Sequence, residues 1–267
     1  MTPSTVEALR AAGLDPAAVE DIVRRALAED LGPQRLDVTS VATIPADRTD
    51  VADLVARASG VVAGLPVAAA VFDVASDRTL RVDVRTPDGA RVARGEVLAT
   101  VAGPTRAMLS AERTALNLLC RMSGVATHTR AWADAVAGTG AAVLDTRKTT
   151  PGLRILEKYA VRAGGGTNKR MGLYDVAMVK DNHTLAAGGV VAALVRVRSA
   201  FPDVPVQVEV DTVAEAVAAV EAGATFLLCD NMTPERLREV VDAVGGQVEL
   251  EATGNLTLET VEAYAAT

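Results

Sequence analysis

The only four lysines in 267 residues, Lys148, Lys158, Lys169 and Lys180, lie within "DTRKTTPGLRILEKYAVRAGGGTNKRMGLYDVAMVKDNH" at 145–183, while 23 arginines supply the remaining positive charge. Residues 147–183 hold eight cations against three anions, a local charge of +5. That leaves −12 on the rest of a chain whose net charge is −7. A basic island in an acidic protein points to a small polyanionic ligand and argues against general nucleic-acid binding. Lysine and arginine offer charge-assisted hydrogen bonds to carboxylates and phosphates, arginine in bidentate fashion.

The second chemical signal is a series of short apolar runs, each ending in polar or ionisable residues. "AAVLDT" leads to Arg147 and Lys148, "DVAMVK" to Lys180 and Asp181, and "VQVEVD" to Glu209 and Asp211. "TFLLCD" leads to Asp230 and Asn231, and "QVELEA" to Glu251 and Thr253. Cations come from the first two tips and carboxylates from the next three. Carboxylates beside bound phosphates suit Mg²⁺ and can also stabilise a cationic, oxocarbenium-like carbon.

The elements that must position these tips follow from the same pattern. Apolar strands alternating with helices near 153–163, 189–200, 212–222, 234–244 and 257–264 imply parallel βα units. In a parallel α/β barrel all C-terminal strand ends open on one face. A doubly wound open sheet is the competing fold, but no glycine fingerprint follows a first strand. A helical run, "AERTALNLLCRMSGVATHTRAWADAV", precedes this half. Upstream, Asp15-Pro16 opens a helix that Gly32 closes, and residues 50–103 read as short Val-rich strands with turns at "TPDGARVARG". "GARVARGEVLATVAG" has the flavour of a biotinyl or lipoyl module, yet that region holds no lysine to carry the group. Gly164–Gly166 read either as a helix stop or as backbone freed to approach a ligand.

Other chemistries find little support. Cys120 and Cys229 sit in apolar contexts and read as buried free thiols, with no disulfide framework or metal spacing. His128 and His183 have no cysteine or serine nucleophile placed to form a hydrolase triad. The N-terminus lacks a charged and then apolar leader, and the longest apolar run is too short to span a bilayer, so a cytoplasmic soluble protein is expected.

"DTRKTTPGLRILEKYAVRAGGGTNKRMGL", "VKDNH", "ERTALNLL" and "EVDT" closely resemble the quinolinate phosphoribosyltransferases, the decarboxylating nicotinate-nucleotide pyrophosphorylases. The resemblance runs from "AEDLG" to about Thr253. It implies an N-terminal α/β sandwich domain (1–112) and a C-terminal, TIM-like parallel α/β barrel domain (113–267) that is incomplete at its C-terminal end. The implied reaction joins quinolinate and phosphoribosyl pyrophosphate, with Mg²⁺, to give nicotinate mononucleotide, pyrophosphate and CO2.

By the same resemblance, Arg147, Arg170 and Lys180 match quinolinate carboxylate ligands, as does Lys169, which stands where the family usually has histidine. Arg113 matches an arginine that reaches the neighbouring subunit's site, implying a homodimer. Lys148, Glu209 and Asp230 match residues around the ribose, pyrophosphate and metal, with Glu209 and Asp230 on the metal side. Thr253 and Gly254 match the 5′-phosphate cradle, where Asn255 replaces a second family glycine. Lys158 reads either as structural or as a cation at the lip of the site. The alternatives are a catalytically weak binding protein for a pyridine dicarboxylate or phosphate ligand, the molybdenum-associated branch of the same fold, and a Schiff-base aldolase.

Overall fold

The computed structural model describes residues 1–267 and divides into two compact units, residues 1–133 with 143–168, and residues 134–142 with 169–267. The expected domain boundary at 112/113 falls inside one long helix, α5 (Thr105–Ala135).

The first unit opens with α1 (Pro3–Ala11), α2 (Pro16–Leu31) and α3 (Val38–Thr43). α2 is bounded as its sequence dictates: the Asp15 side chain accepts from the Ala17 N–H at 3.1 Å, and Gly32 takes φ 65° at the end. β1 (Thr49–Val55), β3 (Arg81–Val84) and β5 (Val97–Pro104) form an antiparallel sheet in the order β1-β5-β3, and β2 (Gly60–Val61) pairs with β4 (Arg91–Val92). Between β2 and β3 the chain forms α4 (Leu65–Ala75), inside a region whose sequence reads as strands. Nearly every α4 residue is buried, so no amphipathic stripe betrays it as a helix. Its N-terminus is held by Asp88, which accepts from the N–H groups of Gly64 and Leu65 at 2.7 and 3.1 Å. Tyr159 of α6 (Arg154–Ala163) donates to the same carboxylate at 2.6 Å, tying turn, α4 and α6 together.

α5 buries Met108, Ala111, Ala115, Leu118, Leu119, Met122 and Ala126 along one face. Cys120 falls off that stripe and is exposed, which corrects its reading as a buried thiol; Cys229 is buried. The triglycine is a packing device. A Cβ on Gly164 would lie 2.5 Å from the Ala126 carbonyl oxygen of α5, and Gly165 takes φ 90°.

The second unit carries the parallel strands β6 (Ala177–Val179), β7 (Val206–Val210), β8 (Phe226–Asp230) and β9 (Glu249–Thr253), hydrogen-bonded in chain order. Helices α8 (Val190–Ala200), α9 (Val213–Glu221) and α10 (Pro234–Val244) join them, with α7 (Asp181–Ala187) after β6 and α11 (Val261–Ala265) after β9. α7 has no buried residue and so leaves no apolar signature. The expected strand at 141–146 is reduced to one parallel bridge, Leu144 to Thr167, and both residues belong to the first unit.

Strand alternation sorts the sheet into two faces. Val179, Val208, Val210, Leu227 and Cys229 belong to the apolar cluster shared with Leu194, Ala216, Ala219, Leu237 and Val240 of the helices. In the register, Glu209 pairs with Leu228, Leu228 with Glu251, and Asp230 with Thr253, so these residues share the opposite face. Leu227 is fully buried. Leu227→Ala should lower stability by about 2–5 kcal/mol in urea unfolding. A loss below about 1 kcal/mol would mean that this face is not the unit's core.

Candidate active site

The polar face of the parallel sheet places four of the expected residues at C-terminal strand ends. Lys180 follows β6, Glu209 sits near the end of β7, and Asp230 and Thr253 close β8 and β9. Lys180 Nζ donates to Glu209 Oε2 at 2.6 Å, with the lysine half exposed and the carboxylate 10% exposed. His183 is explained locally: its Nδ1 accepts from the Lys180 N–H at 3.0 Å and caps α7.

Lys169 lies deeper. Its side chain is 10% exposed, forms an ion pair with Glu251 of β9, and stands 5.5 Å from the centre of the Phe226 ring. Burial pushes the Lys169 ammonium below its ordinary pKa; Glu251 works against that, and Arg170 and Lys180 add to it. Glu251 also accepts from Gln207 Nε2 at 3.1 Å, and Gln207 is fully buried with Oε1 lacking a partner. Arg170 turns back on its own loop, donating to the Val176 carbonyl at 3.3 Å and to Met178 Sδ at 3.2 Å. Asp175 shapes that loop by accepting from the N–H groups of Met171 and Gly172 at 2.6 and 3.0 Å.

At the ends of β8 and β9 the backbone makes a tight paired turn. The Asn231 N–H donates to the Thr253 carbonyl at 2.9 Å, and Asn255 Nδ2 donates to Asn231 Oδ1 at 3.0 Å. Gly254 takes φ 82°, and a Cβ there would sit 2.3 Å from Asn231 Oδ1, so glycine is required. Asn255 adopts φ 54°, a left-handed conformation that asparagine tolerates best after glycine. Asparagine is therefore compatible with the backbone this turn requires.

The carboxylates gather on this side. Burial raises the Asp211 pKa, and the neighbouring Glu215, Asp230, Glu209 and Asp181 raise it further. No three His, Cys, Asp or Glu side chains converge as a ready-made metal cage. One or two of these carboxylates are the kind of oxygen donors a divalent cation such as Mg²⁺ takes.

The first unit holds Arg147, Lys148, Lys158 and Arg113. Lys148 is exposed, and Arg113 is exposed on α5. Arg147 is half-buried, with Nε buried and lacking a hydrogen-bond partner. Lys158 is structural and not a cation at a lip: it is 1% exposed, and its Nζ donates to Asp145 Oδ1 at 2.5 Å. Asn168 Nδ2 donates to Asp145 Oδ2 at 2.7 Å and to the Lys158 carbonyl at 2.8 Å. The Asp145 N–H donates to the Thr167 carbonyl at 3.1 Å, so this buried pair pins the chain two residues before Arg147. His128 accepts from Trp132 Nε1 at 3.1 Å and belongs to the helix surface.

The sequence pattern assigns no role to Gln207, Asp145 or Asn168, and marks Glu251 only as a strand-tip carboxylate without naming its partner. Gln207 had a signal: "VQVEV" places it two residues before Glu209, on the same strand face.

The sequence matches the family described as quinolinate phosphoribosyl transferase, N-terminal domain, over residues 37–123, and its C-terminal domain over 125–267. The chain belongs to the quinolinate phosphoribosyltransferase family. It is 48% identical over 254 residues to nicotinate-nucleotide pyrophosphorylase [carboxylating] of Mycobacterium leprae, covering 94% of this chain and 89% of the relative. A probable nicotinate-nucleotide pyrophosphorylase [carboxylating] of Bacillus subtilis is 40% identical over 240 residues, covering 90% of this chain and 82% of the relative. The crystal structure of NadC from Streptococcus pyogenes superposes with TM-score 0.89 at 36% identity, covering 93% of this chain and 87% of that one.

The buried Lys158–Asp145 pair yields a stability prediction. Lys158→Met removes the counter-charge of a buried carboxylate and should cost about 3–5 kcal/mol in urea unfolding. Lys158→Met with Asp145→Leu should recover most of that loss. A double variant no more stable than the single would show that the hydrogen bonds from Asn168, not the charge pair, dominate.

Proposed function

We propose that this chain is a pentosyltransferase of NAD biosynthesis. It transfers the phosphoribosyl group of phosphoribosyl pyrophosphate to quinolinate with loss of CO2, giving nicotinate mononucleotide and pyrophosphate. The observation that carries this reading is the polar sheet face, which presents Lys169 and Lys180 beside Glu209, Glu251 and Asp230. A dianionic acid and a polyphosphate call for such a mixture of cations and carboxylates.

In this reading Lys169, Arg170 and Lys180 take the substrate's two carboxylates. The resemblance assigns Arg147 to the same carboxylates and Lys148 to the phosphoribosyl donor. Glu209 and Asp230 face the sugar, where negative charge lowers the energy of an oxocarbenium-like C1′ as pyrophosphate departs. The same two carboxylates would hold Mg²⁺, which when bound neutralises charge on the pyrophosphate. The Gly254 turn brings free backbone beside Thr253 to the 5′-phosphate, and a side chain at 254 would collide with Asn231. A homodimer to which Arg113 contributes across subunits, and a cytoplasmic location, complete the proposal. No helix is long and apolar enough to cross a membrane.

Pyrophosphate release, measured together with CO2 from carboxyl-labelled quinolinate, tests the reaction; binding of the acid without either product would leave the chain a binding protein. Arg147→Ala and Arg170→Ala should each weaken quinolinate binding by about 2–5 kcal/mol, and nicotinate should bind poorly to the parent. Equal affinity for the two acids would overturn the carboxylate assignment. Asp230→Asn separates chemistry from binding more cleanly than a change at Glu209, which also holds Lys180. It should lower kcat by about 100-fold or more with little change in quinolinate affinity. Near-parental turnover would make Asp230 a structural residue.

A further inference from the structure

We infer that Glu251 is a positioning residue that keeps Lys169 both charged and aimed onto the polar face of the sheet. The inference deepens the proposed function, since it rests on Lys169 being a ligand of the acid substrate. Its basis is geometric. Glu251 projects from β9 on the face shared with Asp230 and Thr253, and its carboxylate closes a buried ion pair with Lys169, 10% and 14% exposed. Gln207, fully buried on β7, donates to the same carboxylate at 3.1 Å and fixes its orientation across the sheet. The Phe226 ring, 5.5 Å from the ammonium, adds the cation-attracting face of an aromatic.

The charge balance around Lys169 makes the pair necessary. Arg170 and Lys180 repel the ammonium, and burial disfavours it. Lys180 has its own carboxylate in Glu209, so Glu251 is the anion placed against Lys169. Cys229, on the neighbouring strand, is held as a neutral thiol by burial and by Glu251, with its pKa pushed up to about 11, so it brings no charge at neutral pH. The carboxylate beside Lys169 thus favours its charged form against burial and the two neighbouring cations. With Glu251→Gln, burial and the two like charges remain while the opposing charge is gone. The Lys169 pKa then falls further, and the positive charge is lost as pH rises through it. The substrate's carboxylates stay ionised throughout, so affinity follows the ammonium.

The chain's four lysines make the test direct. Lysine labelled with ¹³C at Cε gives four resonances, assignable with single Lys→Arg variants, and the Lys169 signal is titrated without substrate. In Glu251→Gln its midpoint should drop by about one pH unit or more, the scale on which a close charge pair acts. Glu251→Asp should restore most of the shift. Quinolinate affinity, flat in the parent from pH 6.5 to 8.5, should in Glu251→Gln fall by up to about tenfold per pH unit above the Lys169 midpoint. It should match the parent at the low end. An unchanged Lys169 midpoint overturns the inference, as does a uniform loss of affinity at every pH, the mark of a merely structural role. The NMR result stands whether or not the chain turns over quinolinate. Failure of the parent to bind quinolinate would strike the functional reading and leave the ion pair to be judged by titration alone.

Discussion

The carboxylates of the candidate site depend on the two-residue repeat of four parallel strands. One face must be apolar, because α8, α9 and α10 pack on it and leave no water to satisfy a polar group. The opposite face carries Glu209, Asp230 and Glu251. A shift of one residue in any strand would send Glu209, Asp230 or Glu251 into the helical layer and turn Val208, Leu227 or Leu250 outward. Apolar packing thus sets the register, and the register sets which side chains can do chemistry.

The four lysines divide by how much water they keep. Lys148 and Lys180 are exposed enough to reach a ligand, while Lys158 and Lys169 are buried, each against one carboxylate. An ammonium can be buried this way because it is compact and has three donors to satisfy. A guanidinium brings five donors in a rigid fork and needs more partners. This gives a physical reason for lysine at these two positions in a chain that otherwise favours arginine. Asp145, Asn168 and the Thr167 carbonyl join Lys158 in a polar knot that fixes the backbone ahead of Arg147.

Strand tips, the helices after β7 and β8, and the chemical character of the site were legible because their signals are local: apolar runs that end in charge, capping residues, glycine stops. α4 was not, since a helix buried on every side has no polar face. Nor was α7, too short and too exposed to show a period. Residues 141–146 carry a strand's composition but find only one bridging partner, because strand formation needs a neighbour that composition cannot report. Glu251 was visible as a charged tip, but its partnership with Lys169 spans 82 positions and exists only once β9 lies beside β8.

Two positions, Asn255 and Lys169, are accommodated by different physics. At Asn255 the question is conformational: the turn needs a left-handed backbone, and asparagine can supply it while its side chain bonds to Asn231. At Lys169 it is electrostatic. Histidine could sit buried and neutral, whereas lysine in the same surroundings must lose its proton or gain a counter-ion. The pairing with Glu251 supplies one, and Gln207 anchors it from the next strand but one. The cost of that solution is visible in the core. Gln207 presents one amide hydrogen to Glu251 and leaves its own oxygen buried without a donor. A buried polar atom left in this way is tolerated where the charge it helps to hold in place is worth more than the hydrogen bond forgone.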